Sequence, residues 1–410
     1  MMMCLEMPIM AYALARAANY EPNLSAYGAI VVATTFFFGC PVWPLIGSSA
    51  ALVKSKEDLK VFRRFLFSLC AGIALIHAAL VVTPLSKLTI IPLFGTTQAL
   101  YDLAYPSLIL VLFFPVLIGY RRINHGVLLH VGKPKFVGVS SGARIISLTF
   151  LLFVTAFIDT SLAPLTVAAL CQLVSLIIET VMSELMALKH GVPSLTDDKS
   201  NLTLNSCWKY CYPVMFSSVL SQITLPVGSA VLFRFPSAEQ SLVVWPAING
   251  LLLFVRMPGN SFIEFTASVG GDSSYQKRLP RFAFSVGAVM AGVVAILSFT
   301  PLGTIYFSVL GGLSIEKSVF ARHCLAFAGL YVFTESLLCF YYGLTYAKKQ
   351  TKLLLAATLI SIVCFLGLFT LGLYQSTFAG AAYLCLMFAV TTIIELVFFK
   401  FSFRKFRQVY

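Results

Sequence analysis

Charge is scarce in this sequence. Asp, Glu, Lys and Arg make up 11% of its 410 residues against 59% hydrophobic, and the mean hydropathy is +0.90. No water-soluble fold of this length could cover its surface with so little polar material, so that class is excluded and the chain belongs in a membrane. No GxxxxGK[ST] loop occurs and no polar segment is large enough for a nucleotide-binding domain, which leaves a gradient, not ATP, as the driving force for any transport. HExxH is absent, as are paired Asp residues or a Ser and His at membrane depth, so an intramembrane enzyme is the weakest reading. His125 and His130, at i, i+5, do not share a helix face and are expected at the membrane interface. There are ten cysteines, but Cys40, Cys70, Cys171, Cys339, Cys364 and Cys385 lie inside apolar spans, where they pack as small hydrophobes and imply no disulfide framework. Cys207 and Cys211 share a helix face without His or carboxylate company, so packing is expected there too, and no metal or cofactor.

What is present is a series of apolar stretches of about 20 residues, the length a helix needs to cross the hydrocarbon. They fall near 3–20, 27–53, 64–84, 104–124, 142–158 and 164–188, then near 208–234, 239–270, 282–300, 318–345, 353–374 and 378–400, six plus six. The net charge of +13 is distributed along this pattern and does not point to nucleic acid. Lys54, Lys56, Lys60, Arg63 and Arg64, then Arg121, Arg122, Lys133 and Lys135, then Lys189 and Lys199 follow even-numbered spans; so do Lys277, Arg278 and Arg281, and Lys348, Lys349 and Lys352. The alternate connections, such as Asn19 to Ser25, are nearly free of Lys and Arg, so the even spans and the C-terminus are expected on the cytoplasmic side. The sequon at Asn201 would then never meet the glycosylating enzyme.

The two halves repeat. Pro8-Ile9 with Arg16 matches Pro226-Val227 with Arg234 at an offset of 218; Pro41, Ile46, Ser49 and Ala50 match Pro258, Ile263, Thr266 and Ala267 at 217. Gly126, Lys135, Ile145 and Leu151 match Gly343, Lys352, Ile362 and Leu368 at 217, and Ile177-Ile178-Glu179 returns as Ile393-Ile394-Glu395 at 216. Chance apolar similarity would drift out of register. Repeated helix bundles are a recurring plan of secondary transporters. The expected fold is all-α and polytopic, about 12 transmembrane helices in two pseudo-symmetric six-helix bundles: 1–190, a cytoplasmic linker 191–205, 206–400, and a basic tail 401–410. Trp208-Lys209-Tyr210 has no counterpart before Met1, so the first helix is expected to be N-terminally truncated.

Span two carries Gly39-Cys40-Pro41-Val42-Trp43-Pro44 and its repeat partner carries Met257-Pro258-Gly259-Asn260, so both helices are expected to break, at Pro41 and Pro258. The string Met257 to Glu264 resembles the MPxxxxxE segment of the progressive ankylosis proteins, and Pro226 to Arg234 resembles that family's Pro-x7-Arg. Gly126 to His130 with Lys135 to Gly138 is similar to its glycine-flanked basic loop, and Ser25-Ala26-Tyr27-Gly28 to its SYG. The wider resemblance is to the multidrug/oligosaccharidyl-lipid/polysaccharide (MOP) exporter superfamily, which includes the multidrug and toxic-compound extrusion (MATE) proteins and the lipid-linked saccharide flippases. Resemblance to the ankylosis branch implies export of organic anions; the leading expectation is an exporter of organic anions or small amphipathic solutes, with a flippase from the wider superfamily as the alternative.

An ionisable residue in hydrocarbon costs several kcal/mol unless paired or hydrated, so each is a candidate. Glu264 and Glu335 are the candidates for coupling to H+ or Na+. Arg16 and Arg234, with Arg256 and Asn260, are the candidates for an anionic substrate, since a guanidinium fork suits carboxylate or phosphate. Arg256, in the same span as Glu264, is a possible partner for it. Glu179 and Glu395 are expected to anchor basic loop residues. The other expected partners are the lipid bilayer of the cell or inner membrane and a small solute, with the chain acting as a monomer.

Overall fold

The computed structural model describes residues 5–14, 16–17, 20–83, 97–158, 162–198, 202–270, 278–310, 313–375 and 377–407. The sequon at Asn201 and the basic residues Lys199 and Lys277 lie outside them. The fold is all-α, and the described residues contain no strand beyond one isolated bridge between Ser55 and Thr196. The chain divides into two compact units, 2–215 and 216–410.

In the first unit the helices are α1 (Glu6–Leu14), α2 (Tyr20–Ala26), α3 (Ala33–Gly39), α4 (Leu45–Leu52), α5 (Lys56–Val82), α6 (Gln98–Val111), α7 (Phe114–His130), α8 (Lys135–Thr155) and α9 (Pro164–Met186), with α10 (Leu204–Ser221) crossing the division. The second unit holds α11 (Thr224–Arg234), α12 (Ala238–Val269), α13 (Arg278–Phe299), α14 (Pro301–Ile305), α15 (Ile315–Cys324), α16 (Ala328–Ala347), α17 (Thr351–Gln375) and α18 (Gly380–Arg407). Nine stretches among the described residues are long and apolar enough to cross a membrane. The other three expected spans are present as shorter helices in series: α1, then α2 to α4, then α10 with α11.

Local chemistry explains the interruptions. Pro41 and Pro44 each lack a backbone donor, and Gly39 stands beside them, so residues 40–44 form a turn between α3 and α4. The break expected at Pro258 does not occur: α12 runs from Ala238 to Val269 through both Pro246 and Pro258. Those prolines are twelve residues apart, so each removes a single ladder bond and the helix on either side is long enough to carry through. The first expected span is likewise not one helix, because α1 stops at Leu14 and Arg16 lies in a turn. At α5 the start is fixed by a capping box: Ser55 Oγ accepts from the Asp58 amide at 3.1 Å while the Asp58 carboxylate accepts from the Ser55 amide at 3.0 Å.

Packing explains why particular residues repeat. In the first unit Gly126 of α7 lies against α4 so closely that a Cβ there would sit 1.7 Å from Ser49 Oγ and 2.6 Å from the Ile46 carbonyl oxygen. In the second unit Gly343 of α16 lies against α12, where a Cβ would sit 2.5 Å from Thr266 Cβ and 2.6 Å from the Ile263 carbonyl oxygen. Gly126/Gly343, Ser49/Thr266 and Ile46/Ile263 are the pairs matched at 217, so the repeat is a repeated close helix contact of the kind small residues permit. Outward faces are apolar: Ile146, Phe150 and Phe153 stand exposed along one side of α8, a stripe suited to lipid.

Candidate functional site: the charged cores of the two units

In the first unit Glu6, Arg121, Arg144 and Glu179 form one connected set. Glu179, in the second half of α9 and fully buried, accepts from Arg121 of α7, from Arg144 Nη1 of α8 at 3.3 Å and from Ser141 Oγ at 3.0 Å. The other arm of Arg144 reaches Glu6 of α1, whose Oε1 also accepts from Gln172 Nε2 at 2.7 Å. Two guanidiniums and two carboxylates thus neutralise each other across α1, α7, α8 and α9. A second polar group joins the same helices: Asn124 Nδ2 donates to Ser183 Oγ at 3.2 Å, and Arg63 of α5 reaches Glu184 at 2.6 Å and Asn124 Oδ1 at 3.2 Å beneath the Tyr120 ring. His125, expected at the interface, is instead buried, with Nε2 2.9 Å from Ser140 Oγ; His130 Nδ1 meets the Ala50 carbonyl at 3.1 Å.

The second unit is built differently. Arg256 of α12 pairs with Glu335 of α16, not with a residue of its own helix, and its guanidinium lies 4.9 Å from the Tyr331 ring centroid. The second oxygen of Glu335 is buried without a hydrogen bond. Asn260 accepts from the Cys339 thiol at 3.6 Å, and Thr334 and Thr392 meet at 2.7 Å across α16 and α18. Glu395 of α18, 4% exposed, accepts from the Tyr342 hydroxyl at 2.5 Å, with Ser361 of α17 beside it. No Arg or Lys reaches Glu395 among the described residues. Glu264 is half-buried on α12, as are Met257, Pro258 and Asn260.

The expectation that Glu179 and Glu395 anchor loop residues is therefore corrected for both. Arg121 and Arg144 lie within helices, and α7 runs on to His130, well past the expected end of its span, so Arg121 is an interior residue with 1% exposure. Its positive charge serves an ion pair, where position in the sequence had suggested a topology signal. Arg16 is exposed, with its guanidinium 3.5 Å from the Tyr12 ring centroid; Arg234 is the exposed last residue of α11. Neither makes an ion pair among the described residues.

The repeat register turns these two descriptions into a position-by-position contrast. Glu179 and Glu395 correspond at 216, while the 217 offset takes Arg121 to Leu338, Arg144 to Ser361 and His125 to Tyr342. Both cationic partners of the first carboxylate are neutral residues in the second unit. Reading the charged residues one at a time missed this, because the partners lie on three different helices. The offset holds the signal, once Glu179 is known to meet Arg121 and Arg144.

No family model and no curated protein sequence matches the chain. Solved structures do. A MATE transporter of Vibrio cholerae is similar with a TM-score of 0.74 at 13% identity, covering 98% of this chain and 93% of that one. An outward-facing multidrug resistance MATE family transporter of the MOP superfamily gives 0.72 at 14% identity, covering 99% and 93%. A MOP superfamily transporter from Pyrococcus furiosus, whose binding pocket is described as reversed in polarity, gives 0.69 at 14% identity, covering 98% and 95%. The chain has the fold of the MATE transporters of the MOP superfamily.

Proposed function

We propose that this chain is a secondary-active transmembrane transporter that moves a small anionic or amphipathic solute by alternating access, driven by an ion gradient. One observation carries the reading: its likeness to solved transporters runs over 98–99% of this chain and 93–95% of theirs. The interior supports it. Ionisable residues at membrane depth are costly and mark pathways for ions or solutes, and both units hold several. The protein is not an enzyme on this reading, acts as a monomer in the cell or inner membrane, and keeps its C-terminus on the cytoplasmic side.

An anionic solute is favoured by Arg16 and Arg234, exposed cations at the same Pro-x7-Arg position of the two halves with no ion-pair partner among the described residues. The resemblance to the progressive ankylosis proteins points the same way. Arg256 and Asn260 are further candidate contacts, and Glu264 and Glu335 candidate sites for H+ or Na+. The Pro41 turn is a place where the span can flex.

The test is a thermal-stability screen of the purified protein against organic anions, organic cations and polyprenyl lipids. An organic anion should stabilise, and Arg234→Ala should remove the effect. Stabilisation by a polyprenyl-linked saccharide alone would favour the flippase, and by cations alone would overturn the anionic class.

A further inference from the structure

We propose that Glu395 is the proton-binding carboxyl of the second unit; if the chain is a gradient-driven transporter, this is the residue through which a proton gradient acts on it. The inference rests on the transport reading only for that second clause.

Glu179 and Glu395 are alike in position and unlike in the groups around them. The two occupy corresponding positions, follow the same Ile-Ile pair, and are both buried. Glu179 meets two guanidiniums, and with Glu6 the set has no net charge. Around Glu395 the corresponding residues are Leu338 and Ser361, and the groups that touch it are neutral hydroxyls, those of Tyr342 and Ser361. A buried carboxylate without a counter-ion carries a desolvation cost of several kcal/mol, and hydrogen bonds from neutral hydroxyls offset only part of it. Adding one proton removes the charge and leaves the Tyr342 hydrogen bond in place, since the carbonyl oxygen of the acid still accepts.

Neighbouring charges strengthen the case. On α16, Glu335, Cys339 and Tyr342 are turned toward Glu395. Arg256, the cation that α12 contributes at this level, is already engaged by Glu335. That pair takes up the arginine's charge, so it does not serve as a counter-ion to Glu395. On α17 the neighbouring group, Ser361, does not titrate, while Cys364 lies a turn further along and Lys352 is exposed near the helix start. Helices α11 and α15 meet α18 at its beginning, where Val231 and Leu232 pack on Gly380 and Cys324 on Ala382. That places Arg234, Glu316, Lys317, Arg322 and His323 on the order of 20 Å along the axis from Glu395. On α18 itself, Lys400 is exposed. With Arg256 and Glu335 cancelling, this core is neutral when Glu395 holds a proton and carries one negative charge when it does not. The first unit has no such alternative. Binding adds one proton to a carboxylate oxygen, release removes it, and no other bond changes.

The test is an infrared titration of the protein in lipid vesicles around neutral pH, followed by pH-driven solute uptake in the same vesicles. The unaltered protein should show a protonated-carboxyl C=O band that fades as pH rises. Glu395→Gln, nearly isosteric and able to keep the Tyr342 hydrogen bond, should lose that band. Tyr342→Phe should shift the band without abolishing it, which controls for folding. Absence of the band in the unaltered protein, or its persistence in Glu395→Gln, overturns the assignment and leaves the transport reading standing. Stabilisation by sodium at fixed pH that Glu395→Gln removes would overturn it in favour of a metal cation. Where uptake occurs, Glu395→Gln should lose its response to an imposed pH gradient, and an equal response in both proteins overturns the coupling role. A band that titrates and vanishes in Glu395→Gln, with no uptake of any solute, supports the proton site and counts against the transport reading.

Discussion

The first unit neutralises the carboxylates of Glu6 and Glu179 with arginines, and the second leaves Glu395 to hydroxyls. Glu179 sits between Arg121 and Arg144, with Glu6 completing the balance; Glu395, its repeat counterpart, faces Tyr342 and Ser361. The helix contacts that shape the two units are nonetheless the same, with Gly126 on Ser49 in one and Gly343 on Thr266 in the other. Packing has been kept through the repeat while the electrostatics have separated. A neutral ion set fastens helices together and gains nothing from a change in pH, whereas a lone buried carboxyl exists in two states of different charge. One unit is equipped to be held and the other to respond.

The sharpest way to break this contrast is to restore the missing cation. Ser361→Arg places a guanidinium at the position that corresponds to Arg144 and should hold Glu395 ionised, so the pH-dependent carboxyl signal and any pH-driven uptake should disappear while the protein still folds. A carboxyl signal unchanged in that variant would show that the signal belongs to another group. The next largest effect is expected in the first unit. Arg144→Ala strips a partner from both Glu6 and Glu179, and breaking a buried pair in this way costs about 3–5 kcal/mol, read as a fall in thermal stability. A loss no larger than that of a surface substitution would mean the set is not fastening α1, α8 and α9.

Two further substitutions sharpen the shared side of the comparison. Gly126→Ala and Gly343→Ala each drive a methyl into a facing helix and should each destabilise by about 1–3 kcal/mol, by similar amounts. A large cost at one glycine and none at the other would undo the claim that the contact is repeated. The smallest effect is expected at the exposed arginines. Arg234→Lys keeps the charge but not the fork, and should weaken an anionic solute several-fold with little change in stability, as measured by titration. Unchanged affinity would return Arg234 to a headgroup anchor.

The fold could be read from the sequence because its signals are local or periodic. Span length and the 217-residue offset need no knowledge of neighbours, and the matched Gly, Ser/Thr and Ile positions were already the contact residues of two helix pairs. Pro41 was legible because Pro44 lies three residues on; Pro258 misled because one proline alone does not end a helix as long as α12. The charged cores were not legible. Arg121 looked like a topology charge because nothing local shows that Glu179, on another helix, is its partner. Arg256 found Glu335 across helices where the sequence suggested Glu264 along one. Which carboxylate lacks a cation is a three-dimensional fact, and the register exposes it only after one unit has been seen.

The most direct measurement of the central claim is solute flux in sealed vesicles that contain the protein, with a pH gradient imposed and a labelled organic anion outside. The account predicts that the anion accumulates against its own gradient in vesicles with the unaltered protein, and equilibrates without accumulating in vesicles with Glu395→Gln. Accumulation to the same level in both, or entry no faster than in protein-free vesicles, would contradict it.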